Sequence, residues 1–81
     1  MFKARTADGR NNITGIKMKE LRKALKISQR ELSDRLQVVG LDIDKNAVQR
    51  IESGERFVTD IEIIALSRCF NVTINNLLGI K

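Results

Sequence analysis

The sequence predicts an all-α protein, folded as a compact five-helix bundle. Proline is absent and glycine occurs only 5 times in 81 residues, so few positions would interrupt a helix. Apolar residues recur at helical spacing in several segments, and residues that cap helix N-termini precede those segments. A hydrophobic content of 42% is sufficient for a packed core, and a chain of this length forms one domain.

Start and stop signals place the five helices. We predict helices over residues 15–26, 29–39, 45–53, 60–70 and 74–78. A side-chain oxygen at the N-cap accepts a hydrogen bond from the first turn, and the predicted N-caps are Thr14, Ser28, Asp44, Thr59 and Thr73. Ser28 and Thr59 are each followed three residues later by Glu, which is the pattern of a capping box. The glycines at 40, 54 and 79 fall where three of the helices should end.

Apolar side chains on these helices predict the core. Met18, Leu21 and Leu25 form a stripe along the first helix. The fourth predicted helix, DIEIIALSRCF, is apolar around most of its circumference, so we expect it to be the most enclosed of the five. Cys69 in that helix is then a small core residue rather than a redox group.

Composition excludes several classes of function. One cysteine and no histidine leave no disulfide framework, no cysteine-based zinc site and no histidine-dependent triad. The sequence also lacks a nucleophile–base pair and a phosphate-binding glycine loop, so we expect neither enzymatic activity nor a cofactor. Because no apolar run reaches membrane-spanning length and no signal peptide is apparent, we expect a soluble, cytoplasmic protein. A net charge of +5 weakly favours an acidic partner.

The third predicted helix, within the segment DKNAVQRIESG, carries a polar face. Asn46, Gln49 and Arg50 share one side at helical spacing, and Lys45 lies beside Gln49. Lys and Arg side chains can donate to guanine in the major groove of DNA, and Asn and Gln can pair with adenine. Long polar side chains also cover most solvated helix faces. Taken alone, this helix favours a solvated face over a DNA contact.

Two charged residues fall on the inward faces of their helices. Glu52 follows Val48 by four residues, and Arg22 follows Met18 by four. A buried carboxylate is costly unless it is paired. Helical phase therefore predicts an ion pair between Arg22 and Glu52 that ties the first helix to the third. The alternative is that both side chains turn to solvent.

Three segments together resemble a known family: KISQRELSDRL, DKNAVQRIESGERF and IALSRCFNVTINNLLG. They are similar to the phage repressor/Cro-type (xenobiotic response element family) helix-turn-helix DNA-binding domain, and the resemblance covers residues 15–79. It implies a lambda-repressor-like fold, in which the second and third helices form the helix-turn-helix and the third enters the major groove. We assign residues 13–81 to this domain, and residues 1–12, which lack periodicity, to a flexible N-terminal arm.

The resemblance also implies roles for individual residues. The positions that contact bases in the family fall on Lys45, Asn46, Gln49 and Arg50. The phosphate-binding positions fall on Gln29, at the start of the second helix, and on the loop at 54–57, whose only cation is Arg56. The structural ion pair of the family falls on Arg22 and Glu52, the pair that helical phase also predicts.

The link between the second and third helices departs from the family pattern. The segment QVVGLDID makes this link longer than the usual short turn. We expect the second helix to run to Val39, Gly40 to end it, and Ile43 to take the buried position of the turn. Asp44 caps the third helix where Ser or Thr is commoner. Because its carboxylate would repel a phosphate, we expect no contact with the DNA backbone there.

These expectations define a function. The chain should be a sequence-specific DNA-binding transcriptional regulator, a phage or bacterial repressor that binds a palindromic operator in double-stranded DNA as a homodimer. We expect the dimer to form through apolar residues near the C-terminus, namely Ile74, Leu77, Leu78 and Ile80. The alternative is an antitoxin-like or adaptor protein-interaction module of the same fold, whose partner binding would not weaken steeply with salt.

Overall fold

The computed structural model describes residues 5–80, and these residues form the all-α bundle that the sequence predicts. Its helices are α1 (Thr14–Ala24), α2 (Gln29–Val38), α3 (Lys45–Ser53), α4 (Asp60–Phe70) and α5 (Ile74–Leu78). Helix α3 packs against both α1 and α2, while α4 contacts α1, α2 and α5. Residues 1–4 of the proposed arm, and Lys81, lie outside the described residues. No helix within residues 5–80 combines the length and apolarity needed to cross a membrane.

Four of the five predicted N-caps are confirmed. The side chains of Ser28, Asp44, Thr59 and Thr73 each accept a hydrogen bond from the amide three residues later. The fifth, Thr14, is wrong as a cap. It is the first residue of α1 and is buried, with its hydroxyl donating to the carbonyl of Leu77 at 3.2 Å. The side chain of Asn12 takes over the capping role, because its Oδ1 accepts from the amide of Gly15 at 2.8 Å.

Helix α1 ends two residues earlier than predicted, and this changes which leucine is buried. The helix stops at Ala24, and Lys26 adopts a left-handed conformation with φ +58°. The chain therefore turns before a further helical turn can form. Leu25, predicted as part of the core stripe, is left 49% exposed, and Ile27 enters the core instead.

The core lies where α1, α2 and α3 meet, with contributions from α4 and α5. Its fully buried apolar side chains are Met18, Leu32, Leu36, Val48, Ile51, Leu66 and Leu77. Cys69 packs against this cluster, as predicted for a small core residue, and partial burial raises the pKa of its thiol. Helix α4 has the smallest share of exposed residues among the five helices, in line with the prediction that it would be the most enclosed. It is not apolar on its buried side alone, because Ile61 and Ile64 remain exposed.

The long link between α2 and α3 folds back onto α2. Helix α2 ends at Val38, one residue short of the prediction, and Gly40 adopts φ +95°. The amide of Leu41 then donates to the carbonyl of Leu36 at 2.9 Å, which returns the chain to the core. Ile43 is buried as predicted, and Asp44 begins α3 directly after it. The extra residues therefore do not prevent α3 from packing against α1 and α2.

Candidate nucleic-acid interface

The polar side of α3 faces solvent. Val48 and Ile51 bury the opposite side of the helix completely, which fixes its rotation about its own axis. The four residues predicted to contact bases are all exposed, namely Lys45, Asn46, Gln49 and Arg50. Within residues 5–80, none of these four side chains takes part in a hydrogen bond or an ion pair. Their donors and acceptors are free for a ligand.

An ion pair on the inner side of α3 joins this helix to α1. Arg22 Nε lies 2.7 Å from Glu52 Oε2, and Arg22 Nη2 lies 3.0 Å from Glu52 Oε1. The two side chains are only 13% and 3% exposed, so water screens the pair weakly. The hydrogen bonds to Glu52 raise the pKa of Arg22, and its remaining terminal nitrogen donates to the carbonyl of Ile27 at 2.9 Å. This pairing satisfies the charges at the α1–α3 contact.

Gln29, predicted to bind a phosphate, is joined to the same ion pair. Its Nε2 donates to Glu52 Oε1 at 3.1 Å, so Glu52 holds residues from both α1 and α2. Gln29 is the first residue of α2 and is partly exposed. The side chain is thus held at the helix N-terminus beside α3, where free amides favour an anion.

Arg56, the other predicted phosphate ligand, forms an ion pair with Glu62. Its Nη1 and Nη2 donate to the two carboxylate oxygens at 2.9 and 2.7 Å, and Nη1 also donates to the carbonyl of Phe57 at 3.1 Å. These hydrogen bonds lower the pKa of Glu62, which is buried and also completes the capping box with Thr59. This pair was not predicted from the sequence. The signal was present, because Glu62 precedes the buried Leu66 by four residues, as Val48 precedes Glu52.

The segment that precedes α1 is hydrogen-bonded to the end of α3. Arg10 Nη2 donates to the carbonyl of Glu52 at 3.0 Å, and the amide of Asn11 donates to the carbonyl of Gly54 at 2.8 Å. Asn12 Nδ2 donates to the carbonyls of Ile51 and Arg56 at 3.0 and 2.7 Å. Residues 10–12 were predicted to belong to the arm, but these hydrogen bonds join them to the bundle. The useful signal was Asn12 itself, since asparagine is a favoured N-cap.

The apolar residues near the C-terminus are only partly available for an interface. Leu77 is completely buried in the core, which excludes it from the predicted dimer surface. Leu78 is half-buried, and Ile74 and Ile80 are exposed. Leu78 and Ile80 line an open groove together with Ile13 and Ile16, which lie at the start of α1. We call this surface the C-terminal groove.

The chain resembles known proteins in both sequence and structure. A family model described as helix-turn-helix matches residues 18–77. The structure is similar to the restriction-modification controller protein C.AhdI from Aeromonas hydrophila, with a TM-score of 0.67 and 26% identity over 79% of this chain and 86% of that chain. It is also similar to the P22 c2 repressor, solved in complex with synthetic operator 9T, with a TM-score of 0.68 and 24% identity over 83% and 94% of the two chains. No curated protein matches the sequence.

Proposed function

The chain belongs to the Cro/C1-type helix-turn-helix family of DNA-binding transcriptional regulators, and we propose that it is a repressor that binds a palindromic operator as a homodimer. One observation carries the proposal. The polar side of α3 leaves its side chains unpaired within the described residues, while the opposite side is fixed by core packing and by the Arg22–Glu52 pair. A rigid helix with a free polar face suits insertion into the major groove. Such a protein would act in the cytoplasm of a bacterium.

The base contacts come from α3. Lys45 and Arg50 would donate to guanine O6 and N7, and Asn46 and Gln49 would pair with adenine. All four side chains project from a helix of nine residues, so they would cover a few adjacent base pairs of one half-site.

The phosphate contacts come from both sides of α3. Gln29 would bind a phosphate together with the free amides at the start of α2, and the hydrogen bond that its Nε2 donates to Glu52 orients the side chain. Arg56 would bind a second phosphate from the loop after α3. Since three of its N–H groups are engaged by Glu62 and Phe57, the Nε proton and one Nη2 proton are the donors left for this contact.

The second copy would pack on the C-terminal groove. Three isoleucines are exposed there: Ile13 is 46% exposed, Ile16 49% and Ile80 54%. A contiguous apolar patch of this kind is typical of an interaction site. Lys17 and Glu20 also line the groove and form an ion pair with each other at 3.6 Å, so the apolar surface is bordered by charged residues. P22 c2 repressor binds an operator in its solved complex, which supports an operator as the ligand here.

In vitro selection from random duplexes at near-physiological salt tests the proposal. We expect an enriched motif with two-fold symmetry, its half-sites spaced about one helical turn apart. An enriched motif without symmetry would retain the DNA-binding activity and remove the dimeric operator. Binding to all duplexes alike, or to none, would overturn the proposal and favour the protein-interaction module.

A further inference from the structure

We propose that Asn12 is a positioning residue, which sets the base-contacting helix α3 at a fixed distance from the phosphate-binding loop that follows it. This inference rests on the proposed function. Asn12 would not touch DNA itself. It would act through the backbone of α3 and of the loop at 54–57, so that bases and a flanking phosphate are engaged together.

The amide of Asn12 connects three separate parts of the bundle. Its Oδ1 accepts from the amide of Gly15 at 2.8 Å, which caps α1. Its Nδ2 donates one bond to the carbonyl of Ile51 at 3.0 Å and one to the carbonyl of Arg56 at 2.7 Å. Both protons of the amide nitrogen are therefore used. One short, partly buried side chain thus joins the start of α1, the last turn of α3 and the loop.

The two acceptors belong to the two parts of the DNA-binding surface. The carbonyl of Ile51 is in the last turn of α3, where it also accepts from the amide of the C-cap residue Gly54 at 3.1 Å. The carbonyl of Arg56 belongs to the residue proposed to bind the second phosphate. Gly54 lies between them with φ +89°, and the chain turns sharply there. The hydrogen bonds from Asn12 to the carbonyls before and after Gly54 hold this turn in place.

Arg10 holds Asn12 in place. Arg10 Nε donates to the carbonyl of Asn12 at 3.1 Å, while Nη2 donates to the carbonyls of Ile51 and Glu52 at 3.4 and 3.0 Å. A cation at this position also complements the negative end of the α3 dipole. Its side chain covers Gly54 so closely that a Cβ atom there would lie 2.9 Å from Arg10 Cγ.

Two substitutions of Asn12 separate its bonds. Asn12→Asp keeps an oxygen to cap α1 and removes both donors, whereas Asn12→Ala removes all three bonds. Asn75→Asp is the control for added charge, because it introduces the same charge on the exposed face of α5 and breaks no side-chain hydrogen bond within the described residues. The measurement is operator affinity as a function of salt, at a temperature where circular dichroism shows every variant folded, using the operator selected for the wild-type chain.

We expect Asn12→Asp and Asn12→Ala to bind the operator about tenfold more weakly. This is the effect of losing the one hydrogen bond between the loop and a phosphate. The slope of log affinity against log salt should fall in magnitude by about 1, because the loop contact with a phosphate is lost. Asn75→Asp should keep the wild-type slope. If Asn12→Ala does not fold, Asn12→Asp, which retains the α1 cap, decides alone.

A purely structural role gives a different result. Variants of Asn12 that melt at lower temperature but keep the wild-type affinity and salt slope would overturn the inference and leave the proposed function standing. A slope that falls equally in Asn75→Asp would also overturn it, since the added charge alone would then be the cause. If the wild-type chain selects no operator, the proposed function fails and the inference fails with it.

Discussion

Glu52 of α3 accepts two hydrogen bonds from the guanidinium of Arg22 in α1, at 2.7 and 3.0 Å, within a nearly dry contact. Removing one partner would leave the other charge buried and unpaired. Glu52→Ala should therefore destabilise the fold by about 3–5 kcal/mol. Thermal and urea unfolding measure this change, with the exposed Glu55→Ala as control. A melting temperature near that of the wild type would show that the pair contributes little to the fold.

Arg50→Ala tests base contact by α3. We expect a loss of about 1–3 kcal/mol on the selected operator and relaxed specificity at one base pair, because a bidentate contact to one base would disappear. Binding to the operator and to single-base variants of it measures this. Arg68→Ala, an exposed arginine on α4, is the control for lost charge. Equal losses on operator and random DNA would remove Arg50 from the base-contacting set.

Gln29→Ala should behave differently from Arg50→Ala. A phosphate contact carries no sequence information, so we expect weaker binding to operator and random duplexes alike, with the base preference unchanged. Selection repeated with this variant measures the preference, and Gln37→Ala near the far end of α2 is the control. A changed motif would instead place Gln29 among the residues that contact bases.

Acid should weaken the α3–α4 connection through Glu62. Arg56 holds the pKa of this carboxyl below its ordinary value of 4.5 in the folded chain. The stabilisation is therefore complete above the unfolded pKa and is lost as the pH falls through the folded pKa. We expect Glu62→Gln to be less stable than the wild type at pH 7 and the difference to shrink below about pH 4. The free energy of unfolding, measured between pH 3 and 7, would contradict this if the difference between the two chains stayed constant. Glu55→Gln is the exposed control.

Ile16→Asp tests the C-terminal groove as the dimer surface. A carboxylate placed in an apolar contact is desolvated without a partner, so we expect dimerisation at least about tenfold weaker. Sedimentation equilibrium of the free protein measures this. Ile61→Asp introduces the same charge at an exposed isoleucine on α4 and should leave the dimer intact. If Ile61→Asp weakened dimerisation and Ile16→Asp did not, the interface would lie on α4 instead.

Local signals in the sequence predicted the fold well, because each depends on a few neighbouring residues. Helical phase places Arg22 and Glu52 on inward faces, and the structure pairs them. Capping chemistry located the starts of α2 to α5. The start of α1 was misassigned because Thr14 and Asn12 can both cap. The choice depends on the carbonyl of Leu77, which is 63 residues away and binds the threonine.

The missed contacts in the candidate site depend on distant backbone. The bonds from Asn12 to α3 and the loop join positions 39 and 44 residues apart, and carbonyl acceptors leave no mark in the sequence. Leu25 was misassigned because the helix periodicity continues past Ala24 in the sequence, while Lys26 turns the chain. Arg56 was assigned from the resemblance alone, and its pairing with Glu62 became visible only in three dimensions.

Gly15 limits how far this sequence can diverge. It lies where α1 crosses α3, and a Cβ atom on it would overlap the carbonyl oxygen of Ile51. Even alanine would force the two helices apart, and the Arg22–Glu52 pair and the bonds of Asn12 both span that gap. A relative could change its operator by exchanging side chains on the outer face of α3 while the crossing stayed untouched. The molecule thus separates the positions that can vary with the DNA target from Gly15, where any side chain would collide with the backbone of α3.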